Sequence, residues 1–448
     1  MRTVNRPNEL SRRNFLATSG AAVAASTIGS QAIAAAADTP SPASKLAIDG
    51  GPKAVQVKIK PVKRWGEPER EQLDAAIKQT SLLYWQGPQT GLFTKRFREF
   101  CPLKYVMTCS SGTAALHIAV AAAGIGPGDE VITTGITDVG TVIGVLYQQG
   151  VPVFADLVHN TYNLDPADVE KRITPKTKAI IAVHLAGNPS RLEELKVIAD
   201  KHKLVLIEDC AQAWGARYRD KPVGTVGHIA CFSLQQSKQI TSGDGGVVAS
   251  SDEHFGPLLQ RFGDKGANRS HPGLQTLFAT NYRMSELQAA FAAAQLTRLE
   301  DIASTRSKNG NLLGDKIKDV PGIVAHGIDP SDRATYWFYM FRIDPKKIKC
   351  DRAQFVKALQ AEGVAASAGY IPVPLYGNPV FQKHEFFAGR WPVKEMGLTE
   401  MDYSKVSLPE TSGILETGIR MVFHEGMTEE YMVSVADAIR KVAEHYAA

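Results

Sequence analysis

Short apolar runs alternate with longer amphipathic stretches between residues 66 and 306. An apolar run of about four to eight residues is typical of a buried strand, and an apolar period of about 3.6 is typical of a helix. The predicted strands are Tyr105–Thr108, Glu130–Thr133, Val153–Ala155, Ala179–His184, Leu204–Glu208, Ile229–Ser233 and Val247–Ala249. The predicted helices are Thr113–Ala123, Thr137–Gln149, Arg191–His202 and Met284–Thr305. This alternation predicts an α/β fold whose seven-stranded, mostly parallel sheet is covered by helices on both faces.

The pattern changes after residue 306. An aromatic strand is predicted at Tyr336–Ile343, a helix at Arg352–Glu362 and a terminal helix from about Thr428 to His445. These elements are typical of a smaller α+β unit. We therefore predict a large domain over residues 66–306, a small C-terminal domain over 307–448, and a linker with an N-terminal arm over 38–65.

The first 37 residues have the pattern of an export signal. Arg12 and Arg13 precede Phe15-Leu16, a weakly apolar stretch rich in Ala, Gly, Ser and Thr follows, and it ends in Ala35-Ala36-Ala37. This order is typical of a twin-arginine signal peptide with a small-residue cleavage site. It predicts export to the periplasm or beyond and no stable membrane span after cleavage. The alternatives are a retained membrane anchor and an ordinary basic N-terminus before an Ala-rich helix.

Composition narrows the function class. The chain has 448 residues, of which 44% are hydrophobic and 22% charged, as in soluble globular enzymes. A net charge of +5 without an aromatic-studded basic stripe argues against nucleic-acid binding. The five cysteines include no CxxC pair, so neither a zinc site nor a disulfide framework is predicted.

Three groups of residues carry candidate chemistry. The turn Ser110-Ser111-Gly112-Thr113 follows a strand and opens a helix, where backbone N–H groups can bind a phosphate; a plain helix N-cap is the alternative. Asp209 ends an apolar strand, and a carboxylate buried there needs a partner, which could also be an arginine or a helix end. Lys238 lies in a loop rich in serine, glutamine and glycine. Taken alone, each group has an ordinary structural explanation.

In this order along one α/β sheet, the three groups predict a pyridoxal phosphate (PLP) site. PLP enzymes need a Schiff-base lysine and a carboxylate facing the pyridinium nitrogen. A phosphate turn completes the requirements of the cofactor.

The motifs SSGTAAL, GPGDEVI, IEDCAQAWGA, FSLQQSKQITSGDGG and NYRMSELQAAFAAAQLTRL occur in that order. In these motifs the chain after residue 45 resembles the DegT/DnrJ/EryC1/StrS aminotransferases, fold-type I PLP enzymes that act on sugars and cyclitols. The opening LAIDGGPKA and the QQSK variant resemble the branch with inosose and amino-hydroxybenzoate-type enzymes.

The resemblance implies a role for each matching residue. Lys238 matches the Schiff-base lysine, Asp209 the partner of the ring nitrogen and Gln212 the residue near the phenolic oxygen. The matches for the phosphate contacts are Ser111, Gly112, Thr113 and Ser233. Asn281 matches a residue that reaches the phosphate of the neighbouring subunit, which implies a homodimer with shared active sites.

The chain departs from this family at Asp138, where the family usually places an aromatic residue that stacks on the ring. An aspartate cannot stack in this way, but it can accept a hydrogen bond or form a salt bridge, for example with substrate. His184 and Tyr376 are further candidates for substrate or ring contact, and structural roles are the alternatives. His424 and Trp85 are weaker candidates of the same kind.

The expected function is transamination from glutamate or glutamine to a keto sugar or cyclitol ketone. In this scheme the Lys238 amine, once displaced by the donor, moves a proton between substrate and cofactor carbon atoms. Two alternatives stay open on the same scaffold: another PLP-dependent reaction, such as elimination or racemisation, and a degenerate PLP-binding protein with a sensory or structural role.

Overall fold

A seven-stranded sheet organises the computed structural model of the chain, which describes residues 45–59 and 61–448. Its strands are β1 (Tyr105–Cys109), β2 (Glu130–Thr134), β3 (Val151–Ala155), β4 (Thr177–Val183), β5 (Val205–Asp209), β8 (Ile229–Ser233) and β9 (Gly246–Ser250). The short strands β6 (Arg217–Tyr218) and β7 (Lys221–Pro222) pair only with each other. They lie in the order β1-β9-β8-β5-β4-β2-β3, and β9 alone among them runs antiparallel to both neighbours. The predicted mostly parallel sheet is confirmed.

Both faces of this sheet are covered, as its apolar strands require. The helices that accompany it are α1 (Glu67–Ile77), α2 (Pro88–Phe100), α3 (Gly112–Ala122), α4 (Gly140–Tyr147), α5 (Pro166–Lys171), α6 (Leu192–His202), α7 (Gly256–Gly263), α8 (Glu286–Leu296) and α9 (Leu299–Ile317). Adjacent residues of β9 face opposite ways: Val248 belongs to the core that contains Ile118 of α3, and Val247 to the core that contains Phe93 of α2. Alternation along one strand thus builds two apolar layers.

The prediction of one continuous helix at Met284–Thr305 is wrong, because the chain forms two helices there. The α8 helix ends at Leu296, where the Thr297 hydroxyl donates to the carbonyl of Ala294 at 2.7 Å. A threonine side chain bonded to the preceding turn competes with the helical ladder. The next helix, α9, then continues to Ile317, so the predicted domain boundary at residue 306 falls within one continuous helix.

A second, four-stranded sheet lies in the later part of the chain. Its strands β10 (Ile323–Val324), β11 (Phe338–Ile343), β12 (Ala366–Ala368) and β13 (Gly418–Val422) are antiparallel in the order β10-β11-β13-β12. The accompanying helices are α10 (Arg352–Ala361), α11 (Pro379–Gln382), α12 (Pro392–Glu395), α13 (Pro409–Thr417) and α14 (Glu429–His445). The predicted aromatic strand and the two predicted helices of this region correspond to β11, α10 and α14.

The N-terminal arm docks at the C-terminal end of α10 through the carboxylate of Glu362. The backbone N–H groups of Ala47 and Ala54 each donate to Glu362 at 2.8 Å, and Lys441 pairs with the same carboxylate. Residues 1–37, where the signal peptide is predicted, lie outside the described residues. Within the described residues, no helix combines the length and apolar character that a membrane crossing requires.

Gly144 allows α4 to lie directly against α3. A Cβ atom at this position would stand 2.7 Å from the Cα atom of His117, which is backbone and cannot rotate away. We expect Gly144→Ala to destabilise the fold by about 1–3 kcal/mol, as overpacking does. The control is Gly91→Ala in α2, where a Cβ would meet no atom within 4 Å. That variant should be more stable by about 0.5–1 kcal/mol. Thermal melts of both proteins test this, and equal melting temperatures would contradict the close approach.

Candidate active site

A cavity of about 290 Å³ opens at the edge of the large sheet where the parallel strands end. Open α/β sheets bind ligands at this edge. Eight of the residues singled out from the sequence line the cavity: Ser111, Gly112, Thr113, Asp138, Asp209, Gln212, Ser233 and Lys238. Residues scattered over about 130 positions of the chain therefore meet in one place.

The first turn of α3 forms one wall of the cavity. Ser111 caps the helix by accepting a hydrogen bond from the Ala114 N–H at 3.0 Å, which leaves the preceding N–H groups of the first turn without an intrahelical acceptor. Gly112 lies so close to Ser233 that a Cβ atom would stand 2.7 Å from the serine Cβ. Exposed N–H groups at the positive end of a helix dipole are suited to a phosphate.

Asp209 forms the floor of the cavity at the end of β5. One carboxylate oxygen accepts a hydrogen bond from the Thr141 hydroxyl at 2.9 Å, and the other accepts from the Ala211 N–H at 3.1 Å. Burial raises the pKa of Asp209, although both hydrogen bonds and the charge of Lys238 oppose this. A buried carboxylate held by two neutral donors is a fitting partner for a cationic ring N–H.

Lys238 places its amine in the cavity, with only 8% of the residue exposed. Its Nζ atom lies 3.7 Å from the centre of the Trp337 ring. The loop around it is fixed from two sides: Arg64 donates to the carbonyls of Gln236 and Lys238, and the Trp337 indole donates to the carbonyl of Ser237 at 2.7 Å. The amine is therefore held in place by contacts from distant parts of the chain.

Burial lowers the pKa of Lys238 to about 8, and the negative charges of Asp209 and Asp138 act in the opposite direction. The face of Trp337 also favours the ammonium form, but the desolvation of the amine dominates. At mildly alkaline pH a substantial fraction of the amine is therefore neutral and nucleophilic.

This lowered pKa can be tested by adding pyridoxal phosphate to the cofactor-free protein. The rate of uptake should rise with pH around a midpoint of about 8, because only the neutral amine attacks a carbonyl. Asp138→Asn should move the midpoint to lower pH, since it removes a charge that favours the ammonium form. The amide can still accept the hydrogen bond that Asp138 accepts from the Gly140 N–H at 2.8 Å. Stopped-flow absorbance measures the rate; a midpoint near 10.5 would contradict the assignment.

Gln212 links the cavity to the rest of the fold. Its side-chain oxygen accepts from the Ala186 N–H at 2.8 Å, and its amide donates to the Tyr370 hydroxyl at 3.3 Å. Gln239, next to Lys238, donates to the Gln212 carbonyl at 2.7 Å. This hydrogen bond connects the loop that carries Lys238 with the loop that carries Gln212.

The remaining candidates lie outside this cavity. His184 is fully buried. Its Nδ1 accepts a hydrogen bond from the Ser190 N–H at 3.0 Å, so its Nε2–H donates to Glu208 at 3.1 Å. Both ring nitrogens therefore have partners within the fold. Tyr376 packs against Phe154 and Gly135 in a separate apolar core. Asn281 is exposed on the surface, and its side-chain oxygen accepts from Arg283.

The two weaker candidates, Trp85 and His424, line two other cavities. Trp85 lines a different cavity, near Tyr105 and His254. His424 lines a cavity that adjoins the Lys238 cavity, because Ser237 and Trp337 line both.

Sequence reasoning missed Thr141, Trp337, Tyr370 and Arg64. Thr141 lies one turn beyond Asp138 and could have been found from helical spacing. Trp337 and Tyr370 come from the region after residue 306 and Arg64 from the arm, so no local pattern connects them with Lys238.

A buried lysine, a strand-end carboxylate and an open helix N-terminus in one cavity fit PLP, and the surrounding sheet defines a fold-type I PLP-dependent enzyme. The chain belongs to the DegT/DnrJ/EryC1/StrS aminotransferase family, whose sequence profile matches residues 64–440. It is 34% identical over 430 residues to an L-glutamine:2-deoxy-scyllo-inosose aminotransferase from Streptomyces kanamyceticus, covering 91% of this chain and 99% of that protein.

Solved structures agree with this assignment. An aminotransferase from Psychrobacter cryohalolentis superimposes with a TM-score of 0.77 at 27% identity, over 87% of this chain and 100% of that one. A 3-amino-5-hydroxybenzoic acid synthase superimposes with a TM-score of 0.76 at 26% identity, over 87% and 99%. The protein is therefore a PLP-dependent aminotransferase.

Proposed function

We propose that the protein transfers an amino group from glutamine or glutamate to the ketone of a cyclitol, with a keto sugar as the broader substrate class. The observation that carries the chemistry is that Lys238, Asp209 and the first turn of α3 meet in one cavity. The similarity to an inosose aminotransferase over almost the full length of both chains supports the cyclitol and the glutamine donor.

Each residue has a defined task in this proposal. When bound, PLP supplies an electron sink that stabilises negative charge on the substrate carbon next to nitrogen. Asp209, held by Thr141, keeps the ring nitrogen protonated, and the first turn of α3 with Ser233 binds the phosphate. Lys238 holds the cofactor at rest. It then removes a proton from the donor Cα atom and delivers it to the cofactor carbon, and it reverses this transfer for the acceptor.

A reaction with defined substrates tests this proposal. Purified protein with PLP, glutamine and 2-deoxy-scyllo-inosose should yield an amino cyclitol that mass spectrometry detects, and a set of keto sugars should be screened in parallel. A keto acid and ammonia formed from glutamine without amination of any acceptor would instead support elimination. Protein that binds PLP but converts no donor would support a non-catalytic role.

We also propose that the active protein is a homodimer in which Asn281 reaches the neighbouring active site. Asn281 is exposed, and the preceding segment exposes Leu274 at 95% and Phe278 at 89%, which is unusual for apolar side chains and favours an interface. Mixing inactive Lys238→Ala with weakened Asn281→Ala should restore one intact site per mixed dimer. The absence of any gain on mixing, with mixed dimers present, would contradict shared sites.

Export by the twin-arginine route is the last part of the proposal, and it rests on residues 1–37. Replacing Arg12 and Arg13 together by lysine should retain the protein in the cytoplasm, because the receptor reads the arginine pair. Fractionation of cells that express both forms measures this. Equal amounts of both forms outside the cytoplasm would contradict it.

A further inference from the structure

Asp138 lines the Lys238 cavity, but the proposed reaction gives it no task. It stands where the sequence resemblance leads us to expect an aromatic ring, and the residue is exposed. One carboxylate oxygen accepts a hydrogen bond from the Gly140 N–H at 2.8 Å, and the other has no protein partner among the described residues. One oxygen of a charged group is therefore available to a ligand.

The start of α4 holds this carboxylate in place. Gly140 opens the helix, and a Cβ atom there would stand 2.7 Å from the Thr113 hydroxyl oxygen and 2.9 Å from the Asp138 carboxylate. The carboxylate therefore lies beside the first turn of α3. The hydrogen bond to Gly140 does not require a charge, because an asparagine oxygen accepts from N–H groups at a helix start as well as an aspartate oxygen does. The structural role thus leaves the negative charge unexplained.

The lining of the cavity has an excess of negative charge. It contains three carboxylates (Asp138, Asp209 and Asp244) and one basic residue, Lys238. In the proposed function Asp209 faces the ring nitrogen and Lys238 holds the cofactor, so each of these two has a partner. Asp138 has none, and a carboxylate in such a cavity attracts cations and repels anions.

The basic residues nearby do not neutralise Asp138. The arginines that line the adjoining cavity are Arg64, Arg306 and Arg420. Among the described residues, neither these arginines nor any other basic side chain forms an ion pair with Asp138. Its charge acts instead on groups of the reaction site: it favours the ammonium form of Lys238, and it adds to the effect of burial, which raises the pKa of Tyr370.

We infer that Asp138 binds an ammonium group of the acceptor, so that the preferred acceptor is a cyclitol ketone that already carries an amino group. In the proposed function, on which this inference rests, the acceptor is a cyclitol ketone. An ammonium group forms a charge-assisted hydrogen bond with a carboxylate, which is about twice as strong as a bond between neutral groups. An earlier amination must then supply this acceptor, and the product is a diamino cyclitol.

Binding is measured on the holoenzyme in its aminated form, because neither of the two test ligands reacts with it. The ligands are scyllo-inositol and the amine in which one hydroxyl group of scyllo-inositol is replaced by an amino group, so they differ by one charge. Calorimetric titration at neutral pH compares wild type with Asp138→Asn, which retains an acceptor for the Gly140 N–H. Asp301→Asn, on the exposed surface of α9, is the matched control. Cofactor absorbance verifies that all three proteins are equally loaded.

Wild type should bind the amine about 10-fold to 100-fold more tightly than scyllo-inositol, the range expected for a hydrogen bond to a charged group. In Asp138→Asn the two affinities should agree within about threefold, and the affinity for scyllo-inositol should stay within about threefold of wild type. Asp301→Asn should match wild type for both ligands. If Asp138→Asn does not fold, Asp138→Ser decides, since a serine oxygen also accepts at a helix start.

The acceptor reaction tests the same preference in turnover. At low concentration, the aminated wild-type enzyme should react faster with an analogue of 2-deoxy-scyllo-inosose that has an amino group in place of one hydroxyl group than with 2-deoxy-scyllo-inosose itself. Asp138→Asn should lose this difference. Single-turnover absorbance of the cofactor measures both rates.

Equal binding of both ligands by wild type, or a preference for the amine that persists in Asp138→Asn, would overturn the inference. A loss confined to the donor reaction with glutamine would also overturn it, because the carboxylate would then serve the ammonium group of the donor. If wild type aminates no ketone, the proposed function fails instead. A binding preference for the amine that depends on Asp138 would then still identify an ammonium site.

Discussion

Lys238→Ala is expected to reduce transamination by at least about 10³-fold, because it removes both the nucleophile that holds PLP and the base that moves the proton. The visible absorbance of the bound cofactor should disappear with it. The fold should persist, since Lys238 makes its hydrogen bonds through backbone groups that alanine retains.

A matched control separates this effect from the loss of a positive charge. Lys357 is exposed on α10 and lines neither the Lys238 cavity nor the cavity that adjoins it, so Lys357→Ala should keep both absorbance and activity. If Lys238→Ala retained the wild-type spectrum and rate, the assignment of Lys238 would be wrong. Added methylamine should restore part of the lost rate if proton transfer is the missing step.

Asp209→Asn is expected to lower kcat by about 10²–10³-fold, the size of effect seen when one preorganised charge is removed from a buried site. The amide can accept the hydrogen bonds from Thr141 and Ala211, so the geometry is largely retained. It cannot hold a proton on the ring nitrogen, which weakens the electron sink. The loss should therefore fall on kcat more than on the apparent affinity for PLP.

Two companion variants locate the origin of that loss. Thr141→Val removes one hydrogen bond to Asp209 and should reduce kcat by a smaller factor, about tenfold. Asp301→Asn changes an exposed carboxylate on α9 and should have no effect. A rate for Asp209→Asn within twofold of wild type would exclude the proposed charge pairing.

The apolar runs of the large sheet carried enough information to predict its strands. Runs such as Ile229–Ser233 are buried along their whole length, so short continuous apolar segments identified them. The same runs placed Asp209 and Ser233 at strand ends. Parallel strands end at one edge, so those residues could be predicted to share a site with the turn at Ser111.

Other parts of the site depend on contacts that no local pattern encodes. Trp337 reaches Lys238 across about 100 positions of sequence, and Arg64 reaches the same loop across about 170. Their placement depends on how the second sheet and the arm pack against the first.

The break between α8 and α9 could not be predicted for a different reason. The run from residue 286 to 305 is rich in alanine and leucine, with no glycine or proline to mark an end. At the break the Thr297 hydroxyl donates to the Ala294 carbonyl, a contact that competes with the helical hydrogen bonds and that helix propensity does not specify. Likewise His184 follows a strand, but its role depends on Glu208 and Ser190, which fold around it.

The most direct measurement of the central claim is a titration of the purified holoenzyme with glutamine, followed by absorbance in the absence of any acceptor. We predict that the visible band of the lysine-bound cofactor converts to the near-ultraviolet band of the aminated cofactor, and that 2-deoxy-scyllo-inosose reverses the change while it becomes aminated. The same band in Lys238→Ala would contradict the role of Lys238, and a wild-type spectrum unaltered by every amino acid tried would contradict transamination.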